Sequence, residues 1–223
     1  MEKRPYKAAI FDLDGTLLNT LDDIADACNQ VLREAGCQAI ATAHYQVLVG
    51  SGARHLVTTA VHESQPGWTQ DQIEPVYQAY RKLYANNWHN RTAVYAGVLD
   101  LLEKLQAAGI RLAVLSNKPH EDTQAMVNHY FPTGLFASCY GQLEPYPTKP
   151  DPTLALAIAS AMGVEPSAVA FIGDSGSDMK TAVNAGMTGI GVLWGFRSAD
   201  ELINNGAAVL ARDPEELNQL LMA

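Results

Sequence analysis

A chain of 223 residues can form one large domain or two smaller ones around a buried core, and its 48% hydrophobic and 17% charged residues are those of a water-soluble globular protein. A formal charge of -9, with only 15 lysines and arginines, excludes a partner bound through its phosphate backbone, and so argues against a nucleic-acid role. No apolar run reaches the roughly 18 residues needed to span a membrane, and the stretch behind Met1-Glu2-Lys3-Arg4 stops at Asp12, too short for a secretory segment.

In chain order, Ala8, Ala9, Ile10 and Phe11 form a short apolar run, the mark of a strand buried on both faces of a parallel sheet. The strand should end at Asp12, and Gly15 then allows a sharp turn in Asp12-Leu13-Asp14-Gly15-Thr16-Leu17. From Thr20, a candidate N-cap, Leu21, Ile24, Ala25, Cys28, Val31 and Leu32 recur at helical spacing until Gly36. A short helix at 45–49 breaks at Gly50-Ser51-Gly52, and a third runs from Ala53 through Val61. Thr69 and Gln72 form a capping-box pair ahead of a fourth helix striped by Ile73, Val76, Tyr77, Tyr80, Leu83 and Tyr84, in which Pro75 predicts a kink or a later start. No strand-like run is expected within 18–91, which marks an all-helical insertion.

Alternation resumes near Ala93. Val98, Leu101, Leu102 and Leu105 give a helix stopped by Gly109, and 110–115 reads as a strand ending at Ser116-Asn117-Lys118. Pro119 is expected in the first turn of the next helix, where Glu121 and Asp122 suit the positive end of its dipole. A weaker strand at 137–140 precedes a loop with Lys149-Pro150 and a helix through Leu154, Leu156, Ile158 and Ala161. The strand 169–172 ends at Gly173-Asp174-Ser175-Gly176-Ser177-Asp178; a helix to about Ala185, a strand at 190–193 and a βα tail through Val209 and Leu217 follow. The fold class is therefore α/β, a doubly wound parallel sheet with a Rossmann-like core, formed by 1–17 and 93–223, and a helical cap of 18–92 inserted after the first strand.

Three strong apolar runs end in polar residues of catalytic type: Asp12 and Asp14, Ser116 and Asn117, Asp174 and Asp178, while Lys149 follows the weaker fourth run. If the four strands are neighbours, these side chains face one crevice at the carboxyl edge of the sheet. Two like charges ~4 Å apart repel by ~4 kcal/mol at an effective dielectric of 20, so a cluster of ionised acids calls for a divalent cation. Hard oxygen ligands from a few carboxylates suit Mg²⁺, which shares its shell with substrate phosphate. A hydroxyl, an amide and an ammonium are the donors a phosphoryl group needs.

Together, Asp12-Leu13-Asp14-Gly15-Thr16, Ser116-Asn117, Lys149-Pro150 and Gly173-Asp174-Ser175-Gly176-Ser177-Asp178 resemble the four ordered motifs of the haloacid dehalogenase-like phosphohydrolase superfamily. The helical insertion resembles that superfamily's four-helix cap. Val49-Gly50-Ser51-Gly52-Ala53 and Gly191-Val192-Leu193-Trp194-Gly195 are most similar to the phosphoglycolate phosphatase branch.

The resemblance implies Asp12 as a nucleophile forming an aspartyl-phosphate and Asp14 as general acid and base. It implies Ser116 and Asn117 on the phosphoryl oxygens and Lys149 as a point cation between nucleophile and phosphoryl group. Mg²⁺ would be held by Asp12, the backbone carbonyl of Asp14 and Asp174, with Asp178 behind or through water. Gly15, Thr16 and Gly52 are further substrate-side candidates, and Arg54 could clamp a substrate carboxylate.

Singly, each residue also has a structural reading: Asp12-Leu13-Asp14-Gly15 as a turn, Ser116-Asn117 as helix caps, Asp178 as a first-turn acid, Lys149 and Arg54 as solvated side chains. The six histidines lack metal-binding spacing and are expected at the surface or in packing. Cys28, Cys37 and Cys139, odd in number and without CxxC spacing, predict reduced thiols in the cytoplasm with neither disulfide nor zinc. The expected activity is Mg²⁺-dependent hydrolysis of a small phosphorylated metabolite, 2-phosphoglycolate first, by a monomer or homodimer with no nucleic-acid or membrane partner. A phosphosugar mutase or a phospho-accepting module that does not turn over are the alternatives, and Asp14 argues against the second.

Overall fold

The computed structural model describes residues 6–223; the basic residues 1–4 lie outside them. Strand β1 (Ala8–Phe11) is buried along its whole length. After the Asp14-Gly15 turn come a two-residue strand β2 (Leu18–Asn19) and helices α1 (Leu21–Glu34), α2 (Tyr45–Leu48), α3 (Ala53–Ser64) and α4 (Gln70–Asn87). Strand β3 (Ala93–Val94) returns antiparallel to β2, Leu18 facing Val94 and Asn19 facing Ala93. The chain then alternates through α5 (Val98–Ala107), β4 (Arg111–Pro119), α6 (His120–Tyr130), β5 (Ser138–Gln142), α7 (Thr153–Ala161) and β6 (Val169–Gly173). It ends with α8 (Gly176–Ala185), β7 (Thr188–Val192), α9 (Ala199–Asn204), β8 (Val209–Ala211) and α10 (Pro214–Met222).

The main sheet has the order β5-β4-β1-β6-β7-β8, and every pairing in it is parallel. Because side chains alternate along a strand, β1 sends Ala9 and Phe11 into one apolar layer and Ala8 and Ile10 into another. The first layer is completed by α5, α6 and α10 through Leu101, Leu102, Leu105, Met126, Val127, Leu217 and Leu221. The second is completed by α7 and α8 through Leu154, Ala155, Ile158, Ala182 and Ala185. Helices cover both faces, which is the doubly wound α/β arrangement. The chain leaves β1 for β4 on one side and later returns to β6 on the other, so the crevice beyond the carboxyl end of β1 lies at the reversal of strand order.

Helices α1, α3 and α4 enclose a separate buried cluster built from the expected stripes, with Ile24, Cys28, Val31 and Leu32 meeting Leu56, Val57, Val61, Ile73, Val76, Tyr80 and Tyr84. Asp23, buried in the first turn of α1, accepts hydrogen bonds from the amides of Arg91 and Thr92 and from the Thr92 hydroxyl. That clasp joins the two places where the chain leaves and rejoins the sheet-bearing layers.

Several local expectations are corrected. The stretch 18–91 is not free of strand, because Leu18–Asn19 pairs with Ala93–Val94; two residues carry no readable period. Helix α4 does not start late: it begins at Gln70, ahead of Pro75, and continues past it to Asn87. Thr20 sits at the N-cap position of α1, but its buried hydroxyl makes no hydrogen bond. Pro119 is the residue before α6 and not in its first turn. Strand β4 runs past Leu115 to Pro119, with a register shift against β5 between those residues, so Ser116, Asn117 and Lys118 lie in an irregular extension of the strand.

Candidate active site

Asp12 follows the last residue of β1, and its amide donates to Ile172 O of β6 at 2.9 Å, which fixes it at the carboxyl edge. Lys149 is buried beside it, with Nζ 2.9 Å from Asp12 Oδ1, 2.6 Å from Asp178 Oδ1 and 3.0 Å from Leu115 O. Nζ donates hydrogen bonds to Asp178 Oδ1 and Leu115 O, and its contact with Asp12 Oδ1 is an ion pair. Burial works against the charge on Lys149, but Asp12 and Asp178 outweigh it and hold the amine above its ordinary value. Asp178 uses its second oxygen to accept from the amide and hydroxyl of Ser175, so both oxygens are engaged within the protein.

Asp174, at the end of β6, accepts from the Thr16 hydroxyl at 3.1 Å and from the Phe196 amide at 2.7 Å. Glycines make room for it. Gly15, with φ of +84°, and Gly195 both pack so tightly on Asp174 that a Cβ at either would overlap its side chain. Trp194 Nε1 donates to Thr16 O at 3.0 Å, which ties the 193–196 loop to the first turn. Gly195 and Gly15-Thr16 therefore shape the seat of Asp174, whereas Gly191 packs against Leu202 and Leu210.

Oxygens of Asp12, Asp174 and Asp178 lie within 4.8 Å of one another. Burial, then the charges of neighbouring acids, pushes the Asp12 carboxyl up to about 7 and that of Asp174 up to about 8. Asp12 Oδ1 is buried with no hydrogen bond of good geometry despite its closeness to Lys149. Three buried acids facing one ammonium, with an oxygen unsatisfied, form a donor set that fits a divalent cation. The Asp14 carboxylate stands outside this triad because it turns to Lys118, Nζ lying 3.2 Å from Asp14 Oδ2.

The remaining expected residues divide. Ser116 is buried at the cavity beside Asp12 and accepts from the Lys118 amide. The Asn117 side chain donates to Gly50 O and Lys149 O and accepts from the Lys149 amide at 2.8 Å, so it positions the lysine and the 49–52 loop. Gly52 lines the same cavity, where a Cβ would press on Asn117 O. Arg54 does not join the site; it is exposed, bridged to Glu74 of α4 and laid over the Tyr77 ring. The residue that sequence reasoning passed over is Lys118, buried between Asp14 and the Tyr84 hydroxyl of α4 at 3.0 Å. Its signal was its place directly after Ser116-Asn117.

Contacts from the sheet side hold the helices of 18–91 against the carboxyl edge. Arg197 donates to Val47 O and Val49 O, Arg81 of α4 pairs with Asp122 at 3.5 Å, and Asn117 holds Gly50. Trp88, His89, His129 and Tyr130 form an edge-packed group, His120 accepts from the Gly141 amide and His44 pairs with Glu63. The three cysteines are free thiols; burial pushes Cys28 up to about 11 and Cys139 up to about 12. No helix among the described residues is long and apolar enough to cross a membrane.

Acids and an ammonium gathered at the carboxyl edge of a parallel sheet, roofed by an inserted helical unit, define a doubly wound α/β enzyme. Residues 9–192 match the family described as haloacid dehalogenase-like hydrolase. The chain is 32% identical over 219 residues to the phosphoglycolate phosphatase of Rhodospirillum rubrum, covering 96% of this chain and 90% of that one. It is 31% identical over 195 residues to the phosphoglycolate phosphatase of Haemophilus influenzae, covering 86% and 87%. A crystal structure from Lactobacillus delbrueckii subsp. bulgaricus, provisionally assigned as a phosphoglycolate phosphatase, superposes with a TM-score of 0.92 at 32% identity, covering 98% and 99% of the two chains. The chain belongs to the haloacid dehalogenase-like hydrolases, in their phosphoglycolate phosphatase-like branch, and is a phosphoric monoester hydrolase by class.

Proposed function

We propose that the protein hydrolyses a small phosphomonoester, with 2-phosphoglycolate the leading substrate, by passing the phosphoryl group through Asp12. The observation that carries this reading is the buried constellation of Asp12, Lys149, Asp174 and Asp178, of which Asp12 lines the cavity beneath the helices. Asp12 attacks phosphorus and the bond to the leaving oxygen breaks, while Asp14 gives that oxygen a proton. A water then attacks the aspartyl-phosphate, losing its proton to Asp14, and the bond from phosphorus to Asp12 breaks to release phosphate. Ser116 supplies a hydroxyl to the phosphoryl oxygens, and Lys149 offsets charge on Asp12 while Asp178 and Asn117 hold it in place. Asp12, Asp174 and the backbone carbonyl of Asp14 would hold Mg²⁺, with Asp178 behind them, and the ion would offset charge on the phosphoryl oxygens.

Residues 18–92 act as a cap in this reading, with the β2-β3 ribbon and the Asp23 clasp at its two junctions. The cavity beneath it, bounded by Asp12, Asp14, Leu56, Tyr80 and Ser116, measures about 40 Å³. A site needs ~10–15 Å³ on this scale to hold one water, so the cavity has room for a leaving group of a few atoms. A panel of phosphomonoesters assayed with Mg²⁺ tests the reading: turnover of 2-phosphoglycolate above hexose phosphates, silenced by EDTA, is expected. Isomerisation of a hexose 1-phosphate, or tight phosphate binding without hydrolysis, would contradict it. The small-metabolite role and the thiols together favour the cytoplasm.

The acids also predict how the chelated protein responds to pH. Asp12 and Asp174 bind protons more tightly in the fold than in the unfolded chain, whose aspartates titrate near ~3.9. Their contribution to stability is thus complete below about pH 4 and is lost as pH rises through their folded values near 7 and 8. Thermal unfolding with EDTA should show Tm falling from pH 5 to pH 8, and Mg²⁺ should restore it at pH 8. A Tm that is flat or rising over that range without metal would refute the assignment.

A further inference from the structure

The cavity is lined on one side by Ile24, Val49, Leu56 and Tyr80, and on the other by the polar ends of β1 and β4. Among the described residues that line it, Lys118 is the one cation. It is 7% exposed, a position where an ammonium costs several kcal/mol of lost hydration unless a partner repays it. The structure gives its three N–H groups two oxygen partners, Asp14 Oδ2 at 3.2 Å and the Tyr84 hydroxyl at 3.0 Å, with the Tyr84 ring centred 4.5 Å from Nζ. Lys149, by contrast, has three oxygens around it, all from the protein.

Resting on the reading of Asp14 as the group beside the leaving oxygen, we propose that Lys118 and the Tyr84 hydroxyl form the subsite for a carboxylate on the leaving half of the substrate. Three observations converge on this. An ammonium next to Asp14 faces the leaving half and not the phosphoryl side, which Lys149 serves. Ile24, Val49 and Leu56 leave one wall of the cavity apolar, and its other charged lining residues, Asp12, Asp14 and Asp122, are acids, so a substrate carboxylate finds its ionic partner at Lys118. Arg54, the other candidate for a carboxylate, is already bridged to Glu74 and lies outside the cavity. Tyr84 belongs to α4, so the same contact makes carboxylate recognition depend on the closed helical unit. Closure and the reading of the leaving group then become one event.

The test compares 2-phosphoglycolate with ethyl phosphate, whose leaving group has the same two-carbon skeleton without the carboxylate. For Lys118→Met, kcat/KM on 2-phosphoglycolate should fall about 30-fold more than on ethyl phosphate, mostly through KM, as expected for one lost charged hydrogen bond. Tyr84→Phe, which keeps the ring in α4, should show the same bias at about 5-fold and serves alone should Lys118→Met not fold. Equal losses on both esters would overturn the subsite and assign Lys118 a role through Asp14 only. Wild-type turnover of both esters without preference for the carboxylate would also overturn it while leaving the phosphatase reading intact. No turnover of either ester by the wild type would remove both.

Discussion

Asp12→Asn should lower kcat by ~10⁴-fold or more while leaving the fold in place. The substitution keeps the volume at the end of β1 but removes the anionic oxygen that bonds to phosphorus, and an amide is a far poorer nucleophile. Each factor of ten is ~1.4 kcal/mol of barrier, so the expected loss exceeds ~5 kcal/mol. Stability should not suffer, because burial and the charge of Asp178 outweigh the attraction of Lys149 and favour a neutral side chain at this position. Assay and thermal unfolding of the same preparation separate the two effects. Retention of Mg²⁺-dependent phosphatase activity by folded Asp12→Asn would remove the assigned nucleophile.

The second large effect should come from Lys149→Met, and here both function and stability are at stake. Methionine fills the space of the lysine stem but leaves Asp12 and Asp178 buried without their shared cation. Removing one partner of a buried ionic group typically costs ~3–5 kcal/mol, which for a chain of this length lowers Tm by roughly 6–20 °C. Activity should fall ~10³-fold or more, since developing charge near Asp12 loses its counterion. Adding Asp178→Asn to Lys149→Met should recover part of the lost Tm by deleting one of the stranded charges, a coupling that a double-mutant cycle reads directly. Additive effects of the two substitutions would show that the 2.6 Å contact carries no energy.

The fold was readable because its strongest signals are local. Strands β1 and β6 are short apolar runs buried on both faces, and the polar residue after each can only fall at the carboxyl edge. The stripes of α1, α3 and α4 carry their own period, so their shared core was legible before any contact was known. The ribbon β2-β3 was not, because its two-residue strands derive their identity from a partner about 75 residues away and hold no pattern. Within the site, the acids at strand ends were legible by position, whereas their partners were not. That Lys149 meets Asp178 depends on how α7 and β6 return the chain, and that Arg54 meets Glu74 depends on how α3 packs on α4. Lys118 was hidden for another reason: a strand expected to stop at Leu115 gave no cause to follow the chain into the irregular extension that carries it to Asp14. Thr16 and Gly195 acquire their role only once Asp174 is seen between them.

The central claim, that the phosphoryl group passes through Asp12, is tested most directly by acid-quenching the enzyme during its first turnover of phosphorus-labelled substrate with Mg²⁺ and mapping the label by peptide mass. The account predicts transient label on the peptide containing Asp12, rising before free phosphate and absent from Asp12→Asn. Label on a different residue, or release of phosphate in the first turnover with no protein-bound label under conditions that preserve an acyl phosphate, would contradict it.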